Sequence, residues 1–490
     1  MHHCLNIHIS YPPISTNKGT PLLSQNRQFQ YFNEPTFIYP MVPASAATLL
    51  KKRGYNVVWD DAIAEQMDYD RWLANIGKTL PDLIAIETKT PTVNLHWKTI
   101  KDIKNISPNT ITVLYGDHVT ALPEESLINS PVDYIIVGGY YDVILHSLVH
   151  SLDRNEPIGK GIWYRENGHI RNKGLFSQRC NLNDLPFIDR DLTKWELYSK
   201  HNGNYKYTPG TYTMVGRDCW YRSKGGCTFC SWTTTYPTFN LRSPESLLDE
   251  IGLLIERLGV REIFDDTGTF PIGNWLRRFS EGMIDRGYNR EVLFGCNMRF
   301  GALSSDDFKL MKKAGFRFLL YGLESANQKT LNLLNKGITA KEQFESCKKA
   351  AEAGLDPHLT IMFGYPWEKK AEAIRTIDMA KALIKKGYAK TWQVTIMIPY
   401  PGTKLFNEAK SNGWLKTEDW ARYDMRESIL NTPLSEEEVL SITQSLYKVA
   451  LDPEFIIRKI VGIRNLDDVK FIMRGARNIF GHIKDFNPNQ

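Results

Sequence analysis

The sequence predicts an α/β protein in three parts: a doubly wound parallel-sheet domain, a partial parallel (β/α)6 barrel, and a small helical C-terminal region. Three observations predict it. Apolar strands alternate with amphipathic segments up to about residue 155, six further strands alternate with helices over 206–405, and from 406 the strands give way to helical patterns. Repeated strand-then-helix alternation is what a parallel sheet covered by helices requires.

In the first part, "CLNIHISYPP" opens as a strand stopped by prolines, and "ASAATLLKKRG" follows as a helix closed at Gly54. "YNVVWDD", "DLIAIETKT", "TITVLYGD" and "DYIIVGG" supply the later strands. Each ends in Asp, Thr or Gly, where the carboxyl ends of parallel strands build a ligand crevice, so 1–155 reads as a Rossmann-like domain. Residues 156–205, including "QRCNLNDLPFIDRDL", have weaker periodicity and read as a connecting segment packed on its neighbours.

The barrel strands are "TYTMV", "REIFDD", "EVLFGCNMRF", "FRFLLYGLES", "HLTIMFGYP" and "WQVTIMIPYP". Between the first two lies a helix with Ser243 as cap, Pro244 at its first position, and Leu247, Ile251, Leu254, Ile255 and Leu258 on one stripe. Such a barrel carries its chemistry at the carboxyl ends of its strands. The region 406–490 holds two amphipathic helices, "SEEEVLSITQSLYKVAL" and "LDDVKFIMRGARNIFGHI".

A chain of 490 residues is too long for one core. Its 42% hydrophobic and 24% charged residues are those of a globular protein. No apolar run suits a membrane span, and "MHHCLNIHIS" is no secretory leader, so a cytoplasmic location is expected. The net charge of +6 comes without a dense basic run, which argues against nucleic acid. It admits an anionic ligand; the basic amphipathic tail admits peripheral membrane contact, while core-facing packing is the more common use of such a stripe.

Seven cysteines are unevenly placed: Cys219, Cys227 and Cys230 crowd into "GRDCWYRSKGGCTFCSW", just after the first barrel strand. In a reducing compartment such a cluster reads as metal-binding or catalytic. Three thiolates are one short of a closed zinc site and no histidine lies in the loop, whereas an iron–sulfur cluster on three thiolates leaves one iron for an exogenous ligand. A zinc site borrowing a distant ligand is the alternative. Cys4, Cys180, Cys296 and Cys347 read as small buried hydrophobes. His146 and His150, four apart on a helix, read as boundary residues without an acidic or thiol partner.

With these residues in place, the sequence resembles the radical S-adenosylmethionine (SAM) superfamily, in particular its cobalamin-binding-domain branch, with hopanoid-pathway enzymes among the similar members. Beside the cysteines, with Phe229 at the family's aromatic position, stand "FDDTGTF", "CNMRF", "YGLESANQKTLNLLNKGIT", "IMFGYPWE" and "IPYPGTKLF" at successive strand ends. "YGDHVTALPEESLINSPVDYIIVGG" looks like the branch's Gly-Gly-Pro-His segment and the strand after it. The resemblance implies that Cys219, Cys227 and Cys230 hold a [4Fe–4S] cluster and that SAM chelates the fourth iron. It assigns SAM contacts to Phe229, Asp265, Asp266, Arg299, Glu324 and Ser325, and cobalamin contacts to Thr90, Gly116, His118 and Gly138. Bland readings exist for several: a solvated turn for Asp265 and Asp266, an ion pair for Arg299, a strand-end cap for Glu324 and Ser325, a turn residue for His118.

Two departures stand out. Seven residues separate Cys219 from Cys227, where the family usually has three. The Asp-x-His-x-x-Gly signature of a cobalt-ligating histidine is absent, since Asp60 and Asp61 are followed by Ala62, and "GGYYD" replaces an acidic turn. The resemblance therefore implies cobalamin without a histidine lower ligand, or a domain that has lost it. The implied activity is a 5′-deoxyadenosyl radical modifying an unactivated carbon, C-methylation foremost, of a lipid or secondary-metabolite substrate, with an electron donor such as flavodoxin or ferredoxin. Rearrangement, cyclisation or carbon–carbon coupling without methyl transfer is one alternative, and a non-catalytic iron–sulfur or cobalamin sensor another.

Overall fold

The computed structural model describes residues 4–14, 16–22, 29–177 and 180–486, so the ends of the "MHHC" and "QRCN" readings lie outside the described residues. Strands β1 (Asn6–Tyr11), β2 (Asn56–Asp61), β3 (Leu83–Glu87), β4 (Ile111–Tyr115) and β5 (Tyr134–Ile136) run parallel in the order β2-β1-β3-β4-β5. The order reverses between β1 and β3, which opens a crevice at their carboxyl ends. Side-chain alternation divides the sheet between two layers. Ile7, Ile9, Leu83 and Ala85 join the core under helices α1 (Met41–Lys52) and α2 (Tyr141–Arg154), while Ile84, Ile86 and Leu114 pack with Trp72, Ile76 and Ile100 on the other face. The residue spans 162–166 and 169–172, expected as connection, form an antiparallel hairpin, β6 (Ile162–Glu166) and β7 (His169–Asn172), on the edge of β5. Its two-residue turn is Asn167-Gly168, both at positive φ (51° and 78°), the geometry that an Asn-Gly hairpin turn needs.

The second sheet is a parallel half barrel. Strands β8 (Gly210–Thr213), β9 (Glu262–Asp265), β10 (Leu293–Met298), β11 (Phe316–Glu324), β12 (Asp356–Phe363) and β13 (Thr391–Ile396) follow one another in sequence order. Helix α3 (Pro244–Leu258) forms where its signals predict: the Ser243 hydroxyl accepts from the Ser246 N–H at 3.2 Å, and Gly259 closes it at φ 60°. Its buried Leu247, Ile251 and Leu254 pack in the same core as Ile263, Cys296 and Leu319 of the strands. Each such side chain contributes roughly 1.5–3 kcal/mol through burial, so a charge at Ile251 would undo this layer. Glu250, buried on the same helix, is held by Arg242 (2.5 Å) and by Arg190 (3.2 Å) of the 156–205 segment.

The two sheets meet at the cysteine loop. Asp142 at the start of α2 pairs with Arg217, two residues before Cys219, at 2.9 Å, both buried. Gly139 N–H donates to the Thr235 carbonyl at 2.9 Å, and a Cβ on Gly139 would lie 2.3 Å from the Tyr236 ring. Only glycine lets the edge of the first sheet approach so closely.

Helices α4 (Glu436–Tyr447), α5 (Pro453–Val461) and α6 (Leu466–Asp485) cover the open side of the half barrel. Tyr447 replaces a missing strand partner: its hydroxyl accepts from the Val394 N–H (2.9 Å) and donates to the Val394 carbonyl (3.0 Å). That satisfies part of the free edge of β13. Of the lone cysteines, Cys296 and Cys347 are buried as expected, and burial pushes both thiols up. Cys4 and Cys180 correct the expectation. Cys4 is exposed just ahead of β1, its thiol donating to the Gly54 carbonyl at 3.1 Å, and Cys180 is half-buried in the loop beside Asn240. Neither position lies inside an element that buries its residues on both faces.

Candidate functional site

At its first strand the half barrel ends in an unusual backbone. Asp218 has φ 76°, left-handed for a residue with a Cβ, and its carboxylate is bound by Arg222 one turn later. This turn carries Cys219 into a short 3₁₀ helix, Trp220–Lys224, closed by Gly225 and Gly226 at φ 89° and 67°. The seven-residue gap is therefore an ordered turn. Asn335 Nδ2 donates to the Lys224 (3.0 Å) and Gly226 (2.6 Å) carbonyls, Thr228 N–H to Leu334, and Leu405 N–H to Thr228. A Cβ on Gly337 would lie 2.2 Å from the Tyr221 hydroxyl, so the Lys336-Gly337 turn is fitted to this loop.

Cys219, Cys227 and Cys230 all line one cavity of about 570 Å³ inside the half barrel, together with Phe229. Cys219 and Cys230 are 9% and 7% exposed, and Cys219 Sγ lies 3.0 Å from Thr269 Oγ1. Arg299 reaches the same sulfur group: a guanidinium nitrogen is 3.6 Å from Cys227 Sγ, the group stacks 3.4 Å over the Tyr221 ring centre, and it donates to the Lys336 carbonyl. It has no carboxylate partner among the described ion pairs, which sets aside the ion-pair reading of Arg299. Among the described residues no three His, Cys, Asp or Glu side chains, the three cysteines included, are gathered closely enough to hold a metal ion. A cluster distributes its thiolates over separate irons, and three thiols facing one cavity beside a cation suit it.

The residues at the later strand ends divide. Asp266 lines the cavity, whereas Asp265 points into the wall. Asp265 accepts from Thr213 Oγ1 (2.9 Å), Val215 N–H (2.9 Å) and Thr267 N–H (3.1 Å), and burial raises its carboxyl above the usual range. It fixes the strand end that presents Asp266. Gly268 completes that loop, because a Cβ there would lie 2.7 Å from the Asp218 carbonyl.

Glu324 faces the cavity and Ser325 does not. Glu324 takes φ 60° at a register break in β11 and accepts from Lys336 Nζ at 3.1 Å, both side chains buried. A Cβ on Gly322 would lie 2.2 Å from the Glu324 carboxylate, so glycine makes the room for this pair. Ser325 instead donates to Glu368 at 2.6 Å, next to Thr330 and Asn327. Burial raises the Glu368 carboxyl. Sequence reasoning passed over Lys336, Thr269 and Asn297, which line the cavity. The "NKG" of the fourth motif carried the signal for Lys336.

In the first domain, Thr90 and His118 come together. His118 Nδ1 lies 3.2 Å from Thr90 Oγ1, Nε2 lies 3.1 Å from Glu125, and the ring meets Trp420 edge-on at 5.3 Å. Both ring nitrogens of His118 are engaged and the ring is buried. Gly116 and Gly138 turn at positive φ at the ends of β4 and β5. A Cβ on Gly116 would lie 2.0 Å from the Thr88 carbonyl, the Thr88 Oγ1 is buried without a hydrogen-bond partner, and Glu87 Oε1 pairs with Lys89 Nζ at 3.9 Å. A buried hydroxyl without a partner beside a glycine turn fits a polar ligand at this crevice.

Residues 214–380 match the radical SAM superfamily. Over 428 residues the chain is 27% identical to an uncharacterized methyltransferase of Pyrococcus horikoshii, covering 86% of this chain and 90% of that protein. It is 25% identical over 421 residues to the anaerobic magnesium-protoporphyrin IX monomethyl ester cyclase of Cereibacter sphaeroides, with 81% of this chain and 64% of the cyclase covered. Among solved structures, the cobalamin-dependent SAM radical enzyme OxsB, with aqua-cobalamin and SAM bound, superposes with a TM-score of 0.68 at 13% identity, over 98% of this chain and 72% of that one. That likeness establishes a shared mixed α/β fold with a parallel half-barrel sheet.

Proposed function

Because residues 214–380 match the radical SAM superfamily, we propose that this chain is a cobalamin-dependent radical SAM enzyme that methylates an unactivated carbon of a lipid or secondary metabolite. The observation that carries the reading is the convergence of Cys219, Cys227 and Cys230 on the cavity that also receives Asp266, Arg299 and Glu324 from successive strand ends. Similarity to a methyltransferase along 86% of the chain supports methyl transfer, and the fold shared with OxsB supports cobalamin.

In this reading Cys219, Cys227 and Cys230 would hold a [4Fe–4S] cluster with Phe229 beside it. Thr88, Thr90, Gly116, His118 and Gly138 would line the cobalamin crevice. Bound together, cluster and SAM supply an organic radical that abstracts hydrogen from carbon, and cobalamin supplies a methyl group. The chain positions and shields. Asp266 would accept from the SAM amino group, Arg299 would hold the methionine carboxylate, and Glu324, oriented by Lys336, would accept from the ribose hydroxyls. Asp265 and Ser325 hold the strand ends that carry these groups. Buried apolar walls keep water from a reactive radical. An external one-electron donor of flavodoxin or ferredoxin type in the cytoplasm would reduce the cluster.

Anaerobic reconstitution with iron and sulfide, followed by dithionite and SAM, tests the reading. We expect 5′-deoxyadenosine from wild type and none from Cys219→Ala; a loaded cluster that never yields 5′-deoxyadenosine overturns it in favour of a sensor. Protein expressed with ample cobalamin should carry its visible absorption, and colourless cobalamin-free protein would remove the methyl-transfer half. The cyclase similarity favours ring closure as a second reading, separated by product mass: methylation adds a CH2 unit and ring closure adds no carbon.

A further inference from the structure

The C-terminal helices are apolar on the side that faces solvent. Eight of the sixteen large apolar side chains exposed among the described residues fall between Leu451 and Phe480. Helix α5 buries none of its residues, and its Ile457, Ile460 and Val461 are 59%, 58% and 68% exposed. On α6, Leu466, Met473 and Phe480 are 77%, 68% and 55% exposed. Their seven-residue spacing puts them on one stripe along the whole helix. Lys470, Arg477 and Lys484 are exposed and follow the apolar stripe at i+4, a basic row parallel to it.

This surface is continuous with the cavity. Ile456, Ile460 and Phe480 are exposed and also line it, while Phe471, Gly475 and Ile479 face it from the inner side of α6. The cavity thus reaches from the cysteines along the open side of the half barrel to the apolar helices. Small Gly475 and the adjoining Ala476 leave room there, with no atom within 4 Å of a Cβ at Gly475.

We infer that α5 and α6 dock on an anionic lipid bilayer, apolar stripe in the acyl boundary and basic row at the headgroups, and pass a membrane lipid as substrate into the half barrel. Among the described residues no helix is long and apolar enough to cross a membrane, and the proposed contact is a peripheral one. Long cationic side chains beside an apolar stripe are suited to reach headgroups while their stems cover apolar surface. A second copy of the chain is the other occupant of such a face, but the like-charged row on each copy would oppose pairing. The lipid assignment rests on the enzyme reading above, whereas docking does not.

Co-sedimentation of the cluster-loaded protein with phosphatidylcholine vesicles, with and without phosphatidylglycerol, tests the docking. Wild type should pellet with the mixed vesicles. Ile457→Asp/Val461→Asp/Met473→Asp should partition at least about tenfold more weakly, because each removes an apolar side chain from the membrane contact. Lys470→Gln/Arg477→Gln/Lys484→Gln should lose the preference for phosphatidylglycerol. Ile128→Asp, exposed elsewhere, should bind as wild type. Wild type that stays in the supernatant, variants that pellet unchanged, or a wild-type dimer that the triple aspartate variant turns into monomer would each overturn the proposal. The variants should retain 5′-deoxyadenosine formation, so a failed docking result and a failed enzyme reading are read separately. If docking holds, lipid extracted from incubated vesicles should carry an added CH2; unmodified lipid alongside active SAM cleavage would overturn the substrate assignment.

Discussion

The Arg299 guanidinium lies 3.4 Å over the centre of the Tyr221 ring. Tyr221 belongs to the seven residues between Cys219 and Cys227, so the long gap supplies a platform for the cation at the cysteines. Arg299→Lys keeps the charge but loses the planar stack and the reach to the Lys336 carbonyl. We expect SAM to bind about tenfold more weakly to Arg299→Lys, while Tyr221→Phe, which keeps the ring, stays close to wild type. Equilibrium binding of SAM to the loaded protein checks both.

The Glu324–Lys336 pair predicts a larger effect. Lys336→Met leaves a buried carboxylate without its cation, which costs about 3 kcal/mol or more. Chemical denaturation should show that loss, and the Glu324→Gln/Lys336→Met double variant should recover a good part of it. SAM affinity should fall in both, since the double variant repairs stability and not the ribose contact.

Gly268→Ala places a Cβ 2.7 Å from the Asp218 carbonyl. The loop that presents Asp266 must then back away from the cysteine loop, and iron retention after reconstitution should fall. Gly475→Ala meets no atom within 4 Å and should retain iron as wild type does.

His358 gives a pH dependence. It lies in the barrel interior beside Thr391, and burial, with the Arg317 charge adding to it, lowers its pKa from 6.5 to about 3. The unfolded chain then binds the extra proton first, so the stability contributed by neutral burial is complete above pH 6.5 and falls as the pH drops towards 3. Between pH 7 and pH 5 the loss is about 2 kcal/mol. Denaturation at both pH values should show wild type losing that much more than His358→Gln.

The βα alternation, the six barrel strands and the cysteine loop were legible because each rests on local periodicity or on a spacing within a few residues. The hairpin at β6 and β7 was passed over although Asn167-Gly168 announced it, because its strands are half exposed and lack a strong apolar alternation. Asp265 and Asp266 are indistinguishable in sequence, and only strand alternation in three dimensions sends one to the wall and the other to the cavity. The same holds for Glu324 and Ser325. Lys336 lay within the fourth motif, but its pairing with Glu324 twelve residues away, like the meeting of His118 with Trp420, depends on the folded chain.

If Cys219, Cys227 and Cys230 hold a cluster with one iron open to SAM, electron paramagnetic resonance of the dithionite-reduced protein, with and without SAM, will show it. We expect about four irons per chain and a [4Fe–4S]+ signal that changes shape when SAM is added, as ligation of the open iron requires. Identical spectra in the two samples, at full iron content, would contradict it.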